Sequence, residues 1–209
     1  MNKLSAVRSS PVILDACVLM VGIDKQNKDI NYSFENMRDS HLQALFEYSQ
    51  NIKIHEFVMG ELDQKRQDFI KQYIGKNVEV VSEGDLYGKD PQYTTLFNKI
   101  ARHELFNYRR DETHNRGEVY SLAYAAFHNI SYFSTRDGSA MIVLDEMPEL
   151  SDIELVGFEY VLAIGFLISK CRNKDMDKRL KSLYKAYCEP SIRRGVIPHT
   201  FAEFLNSLK

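Results

Sequence analysis

Two aspartates stand where predicted β-strands end, and these are the first residues whose placement suggests chemistry. The apolar run 11–19, which Pro11 opens, is typical of a buried strand, and we place Asp15 at its end. Asp137 lies in the turn 135–138, directly after a second predicted strand at 130–134. In parallel α/β sheets, ligands bind beyond the carboxyl ends of the strands, so both aspartates are candidate site residues.

Two glutamates on predicted helices join this candidate set. Glu61 follows Val58 by three residues and precedes Leu62, a spacing that puts it on the apolar stripe of a helix. Glu118 begins another predicted helix, with Leu122 on the same face. A carboxylate among apolar residues is costly unless its charge is compensated, although a helix N-terminus alone can stabilise Glu118.

The chemistry that four such carboxylates support is metal binding. Several carboxylates in one small pocket cannot all be ionised unless a cation neutralises them. A set of oxygen ligands without His or Cys favours Mg²⁺ or Mn²⁺ over zinc. Sites of this kind position a water molecule for attack on a phosphate. Taken singly, Asp15 and Glu118 also have purely structural explanations, as a turn residue and as a helix-terminal acid.

The elements that must position these acids alternate between strands and helices. This alternation predicts an α/β fold with a mostly parallel central sheet. The predicted strands cover 11–19, 52–54, 78–81, 130–134 and 153–156; the predicted helices cover 40–49, 55–73, 92–108, 118–128, 139–144, 157–169, 173–189 and 198–208; the predicted loops cover 24–39, 84–91 and 109–116.

Four short motifs, each carrying one of the acids, occur in a fixed order along residues 11–157. They are V-I-L-D-A at 12–16, V-x-x-E-L at 58–62, R-G-E-V-Y-S-L-A-Y-A at 116–125 and S-T-R-D-G at 134–138. In this order and context the sequence resembles the PIN-domain nucleases. The resemblance implies a PIN-like three-layer α/β/α domain over residues 1–157, followed by a helical C-terminal extension, 158–209, packed on the same domain.

The resemblance also implies an activity and a site. Members of that family hydrolyse phosphodiester bonds, usually of single-stranded RNA, at a metal site lined by four acids. Carried over by position, these are Asp15, Glu61, Glu118 and Asp137. We expect Asp15, Glu118 and Asp137 to bind Mg²⁺ or Mn²⁺, and Glu61 to ligate the ion or orient the attacking water.

The sequence departs from the family pattern in ways that keep two alternatives open. Ser139 stands where a further acid often follows, although its hydroxyl can hold a metal-bound water. A catalytically inactive module that binds nucleic acid or protein is therefore one alternative. The other is the toxin component of a toxin–antitoxin pair, in which a protein partner masks the activity.

Basic residues next to the acids are candidates for binding substrate. Arg136 precedes Asp137 and is placed to contact a phosphate, or alternatively to pair with a neighbouring acid. Arg116 belongs to a charged turn before Glu118, which lines the same site or is simply solvated. With Ser139, these two arginines form the predicted substrate-binding set.

Composition excludes several other classes of protein. A net charge of −2, from 27 Lys and Arg against 29 Asp and Glu, excludes a strongly basic nucleic-acid-binding chain but not a local basic face. Three separated cysteines without a CxxC pair argue against a cysteine zinc site and for a reducing compartment. The most apolar stretch, 156–169, is too short to span a bilayer. We expect a soluble, cytoplasmic protein without membrane contact, and leave open whether that stretch completes the core or forms a homodimer interface.

Overall fold

A single parallel β-sheet organises the protein. The computed structural model describes residues 3–21, 30–110, 112–170, 172–193 and 195–208. Within these ranges the sheet has five strands in the order β3-β2-β1-β4-β5, and every pairing is parallel. The strands are β1 (Val12–Leu14), β2 (Ile52–His55), β3 (Val78–Val81), β4 (Tyr132–Ser134) and β5 (Glu154–Leu155). The predicted α/β class with a parallel sheet is therefore confirmed.

Helices connect the strands and complete the C-terminal region. The α-helices are α1 (Lys3–Ser9), α2 (Ala16–Leu19), α3 (Phe34–Met37), α4 (Gln43–Tyr48), α5 (Glu56–Glu61), α6 (Gln64–Lys71), α7 (Leu86–Lys89), α8 (Pro91–Ala101), α9 (Arg116–Phe127), α10 (Gly138–Glu146), α11 (Phe158–Ile168), α12 (Lys174–Tyr187), α13 (Glu189–Arg193) and α14 (Phe201–Ser207). A π-helical segment, Arg38–Leu42, joins α3 to α4, and a 3₁₀ turn, Pro148–Leu150, precedes β5.

The sheet buries apolar side chains on both faces, as central parallel strands must. In β1, Val12 and Leu14 belong to one core, which includes residues of α4, α6, α11 and α12. Ile13 points to the other core, with residues of α8, α9 and α10. Helices therefore cover both faces of the sheet, in agreement with an α/β/α layering.

The first half of the C-terminal extension is a core element. Val161, Leu162 and Ala163 of α11 are completely buried, in the same core as Leu14 and Ile54. Of the two roles left open for this apolar stretch, completion of the core is the one observed. No helix in the described ranges has the length and apolar character needed to cross a membrane.

The sequence prediction was wrong about where the first strand ends. The strand stops at Leu14, and Asp15 is the N-cap of α2, since its side chain accepts a hydrogen bond from the Ala16 N–H. Residues 16–19, predicted as strand, are helical because this cap starts a helical turn.

The predicted loop 24–39 is also partly wrong. Residues 24–29 lie outside the described ranges, but α3 and the π-helical segment cover 34–39. The Ser33 side chain accepts a hydrogen bond from the Asn36 N–H at 3.2 Å and caps α3, so the helix begins before Ser40. The sequence did not predict this helix start, because the segment is polar and α3 buries only Met37.

Three further boundaries differ from the prediction. The helix predicted over 55–73 is two helices, because Asp63 caps α6 through the Arg66 N–H at 2.9 Å. The helix predicted over 92–108 ends at Ala101, and the predicted loop 84–91 contains the short α7. The first difference matters for function, since it makes Glu61 the last residue of α5.

Candidate active site

The register of the two central strands brings Asp15 next to the turn that carries Asp137. Leu14 of β1 pairs with Ser134 of β4, and the Asp15 N–H donates to the Ser134 carbonyl at 3.0 Å. Each chain leaves the sheet directly after these residues. The two predicted strand-end aspartates therefore lie at the same edge of the sheet.

Asp15 is completely buried and held by three hydrogen-bond donors. Its Oδ1 accepts from the Ala16 N–H at 2.7 Å. Its Oδ2 accepts from the Thr135 hydroxyl and from the Cys17 thiol, both at 2.8 Å. Burial raises the pKa of Asp15, these three hydrogen bonds lower it, and the charge of Asp137 raises it. The carboxylate is thus fixed in position but short of positive charge.

Asp137 lies at the N-terminus of α10 and is tied to Asp15 through one hydroxyl. Its Oδ1 accepts from the N–H groups of Ser139 at 2.8 Å and Ala140 at 3.0 Å, which makes Asp137 the N-cap. Its own N–H donates to the Thr135 Oγ1 at 3.0 Å. Both capping N–H groups use Oδ1, so the cap does not engage the second carboxylate oxygen. Ser139 lies in the first turn of the same helix.

Glu61 lies at the end of α5, where this helix packs against α9. A methyl group placed on Gly117 would lie 2.7 Å from the Glu61 Oε1 and 3.1 Å from the Val58 Cγ2, so the carboxylate occupies the space that this glycine leaves. Glu61 is exposed as a whole residue, but its carboxyl group is half-buried. This partial burial raises the pKa of Glu61, as does the charge of Asp15, while the Gly117 N–H lowers it. The prediction that Glu61 lies on the apolar stripe was wrong: Val58 is buried, whereas Glu61 is exposed at the helix end.

Glu118 interacts electrostatically with the other three acids. Burial raises its pKa to about 7, together with the charges of Asp15, Glu61 and Asp137, while its own N–H lowers it. A carboxylate whose pKa responds to three other carboxylates shares one region of negative potential with them. Glu118 therefore lies within electrostatic range of the other three acids that the sequence singled out.

This region is not a closed metal cage. Among the described residues, no three His, Cys, Asp or Glu side chains converge closely enough to enclose a metal ion. Mg²⁺ usually keeps several water ligands and binds through only one or two carboxylates. Hard oxygen donors, a buried Asp15 and several negative charges fit such a partly hydrated ion.

The two predicted substrate-binding arginines lie over aromatic rings. The guanidinium of Arg136 lies 4.4 Å from the centre of the Tyr187 ring, and that of Arg116 lies 3.5 Å from the Phe57 ring. The Nε atoms of both are buried and have no hydrogen-bond partner within the described ranges.

Burial, followed by the charge of Arg116, lowers the pKa of His55 to about 4.

Three residues of the site were not predicted. Thr135 bridges Asp15 and Asp137, Cys17 donates to Asp15, and Tyr187 carries the side chain of Arg136. Thr135 and Cys17 each lie two residues from an acid, which was the available signal. Tyr187 is distant in sequence and had none.

Comparison with known proteins adds no relative. No model of a known protein family matches the chain, and a search of curated proteins finds none with significant similarity.

Proposed function

We propose that this protein is a divalent-metal-dependent ribonuclease with a PIN-like fold that hydrolyses phosphodiester bonds of single-stranded RNA. The observation that carries the proposal is that the completely buried Asp15 and the Asp137 N–H both hydrogen-bond to the Thr135 hydroxyl at one edge of the sheet. Burial and the charges of Asp15, Glu61 and Asp137 raise the pKa of Glu118 beside them. Partly buried carboxylates that repel one another are destabilising when ionised. The arrangement therefore favours binding of a cation that neutralises them. The order of the four sequence motifs supports the same conclusion.

Asp15 and Asp137 would be the principal ligands of the Mg²⁺ or Mn²⁺ ion, and Glu118 would bind it directly or through a water molecule. Asp15 is fixed by its three donors, and Asp137 offers the oxygen that does not cap α10. When bound, the ion would lower the pKa of a water ligand and stabilise the charge that develops on the phosphate oxygens.

The remaining residues would orient the water and the substrate. The Glu61 carboxylate, at the open end of α5, would accept a hydrogen bond from the attacking water. The Ser139 hydroxyl would hold a second water at the start of α10. Arg136 and Arg116 would donate to phosphates of the RNA strand, since the planar guanidinium matches two phosphate oxygens.

The test is cleavage of a labelled single-stranded RNA with Mn²⁺, with Mg²⁺ or with EDTA. We expect metal-dependent cleavage that falls by at least about a hundredfold in Asp15→Asn and in Asp137→Asn, as losses of charge-stabilising groups do. Asp145→Asn is the matched control, because Asp145 is an exposed residue of α10. It should cleave like the wild type.

Two results would overturn the proposal. Absence of cleavage, together with absence of Mn²⁺ binding by calorimetry, would leave a binding module without catalysis. Cleavage that survives both aspartate substitutions would place the activity outside this site. Slow growth on expression, relieved by Asp15→Asn, would add the toxin role to the nuclease.

A further inference from the structure

The C-terminal extension contributes an aromatic side chain to the edge of the acidic site. Tyr187 is the last residue of α12, and its ring lies under the guanidinium of Arg136. Arg136 stands between Thr135 and Asp137, both of which belong to the site. The contact therefore connects a helix of the extension with the loop that carries two site residues.

Arg136 is held at both of its ends. Its backbone N–H donates to the Cys17 Sγ at 3.0 Å, and the same thiol donates to Asp15. At the other end, the guanidinium lies 4.4 Å from the Tyr187 ring centre. The ring is thus one contact that fixes where the charged group of Arg136 lies.

The ring is a rigid support. Leu180, Leu183 and Tyr184 of α12 are buried, as is Cys188 directly after the helix. Tyr187 also contacts the ring of Phe158, with the ring centres 6.2 Å apart and nearly perpendicular. The C-terminal end of α12 is therefore anchored in the core.

Contact with the ring leaves the buried Nε of Arg136 without a hydrogen-bond partner among the described residues. A ring engages the flat face of the group, whereas its N–H donors point outward in the plane. Those donors match two oxygens of a phosphate. Arg110, in contrast, is engaged in its plane by Glu83 at 2.7 Å while it lies on Tyr87.

We propose that Tyr187 is a positioning residue that holds Arg136 ready to bind a backbone phosphate of the RNA strand next to the acidic site. The inference rests on the proposed function, and extends it by making the C-terminal extension part of the substrate-binding site. Tyr187 acts through Arg136 and takes no part in the reaction itself.

The test compares RNA cleavage by the full chain carrying Tyr187→Leu, Tyr187→Phe, Arg136→Gln and the double change Tyr187→Leu with Arg136→Gln. Leucine keeps apolar volume without an aromatic face, whereas phenylalanine keeps the face. We expect Tyr187→Leu to raise KM by about three- to tenfold with kcat changed less than about twofold, as for a lost cation–π contact. Tyr187→Phe should match the wild type, and Tyr187→Leu should have no further effect in the Arg136→Gln background.

Salt dependence separates positioning from general destabilisation. The affinity for a labelled single-stranded RNA is measured in EDTA at several salt concentrations. Losing one phosphate contact lowers the slope of log affinity against log salt by about 0.7. Tyr187→Leu and Arg136→Gln should both show this change, and their melting temperatures report on folding.

Failure of the inference differs from failure of the nuclease proposal. If the wild type cleaves with metal, Asp15→Asn does not, and Tyr187→Leu has the KM and salt slope of the wild type, the positioning role is overturned and the nuclease stands. A KM increase in Tyr187→Leu that is unchanged in size in the Arg136→Gln background also overturns it. A wild type that neither cleaves nor binds RNA overturns both.

Discussion

At the scale of one residue, the raised pKa of Glu118 shows how the acidic site lowers the stability of the folded protein. An isolated glutamate has a pKa of 4.5, whereas burial and three neighbouring charges raise the pKa of Glu118 to about 7. Between these values the folded protein keeps a proton that the unfolded chain has lost. The free energy of unfolding therefore falls as the pH rises from 4.5 to 7. Above pH 7 the ionised group opposes folding in full.

Removing this charge should stabilise the metal-free protein at high pH. We expect Glu118→Gln to raise the melting temperature at pH 8 in EDTA, by an amount worth up to about 3 kcal/mol, because glutamine carries no charge. At pH 4.5 the two proteins should melt alike. Thermal unfolding followed by circular dichroism at both pH values measures the difference.

Glu104→Gln is the matched control for this prediction, because Glu104 is exposed. Its melting temperature should follow that of the wild type at both pH values. Equal melting temperatures of Glu118→Gln and the wild type at pH 8 would show that ionised Glu118 does not destabilise the folded protein. Added Mn²⁺ should stabilise the wild type more than Glu118→Gln at pH 8, since the ion neutralises the negative charge that the glutamine lacks.

At the scale of elements, the contact between α5 and α9 sets the position of Glu61. Gly117 is buried in the first turn of α9 and faces both Val58 and the Glu61 carboxylate. An alanine in this place would meet Glu61 Oε1 at 2.7 Å, which is too close, so the flexible carboxylate must move. The backbone of α9 can stay where it is.

Gly117→Ala should therefore lower activity without lowering stability. We expect cleavage to fall by about tenfold or more as Glu61 is displaced. The melting temperature should stay within a few degrees, since alanine gains about 1 kcal/mol over glycine in a helix. Gly60→Ala is the matched control, because a methyl group there meets nothing within 4 Å. Full activity in Gly117→Ala would mean that the position of Glu61 is not critical.

The elements also show how far the sequence determines the site. The bounds of the strand Val78–Val81 were predicted correctly, because three valines between polar turns favour a short β-strand. The four acids could be named because each follows or begins an element. The break between α5 and α6 was not predicted, since the apolar spacing continues from Leu62 to Phe69 across Asp63.

Long-range contacts account for the rest of what was missed. Thr135 contacts Asp15 across 120 positions of the chain, and Tyr187 contacts Arg136 across about 50 positions. Local propensity contains no information on such pairs, because they depend on strand register and on the packing of α12. The sequence thus indicates which acids matter and leaves open what holds them.

At the scale of the whole molecule, the extension and the sheet domain form one body. Helix α11 packs against the π-helical segment, and their backbones approach closely at Gly165. A methyl group on Gly165 would collide with the Ser40 carbonyl and lie 2.9 Å from the His41 Cα. These are backbone atoms, and His41 is completely buried, so neither helix has a simple way to yield.

Gly165→Ala should consequently destabilise the entire protein rather than loosen an appended tail. We expect a loss of about 1–3 kcal/mol, which lowers the melting temperature by several degrees in a single cooperative transition. Gly60→Ala, an open helical glycine, should not lower it. Thermal unfolding followed by circular dichroism and by tyrosine fluorescence would detect separate transitions. Two separate transitions, or an unchanged melting temperature, would show that the extension folds independently of the sheet. In that case the ring of Tyr187 would not be fixed relative to Arg136.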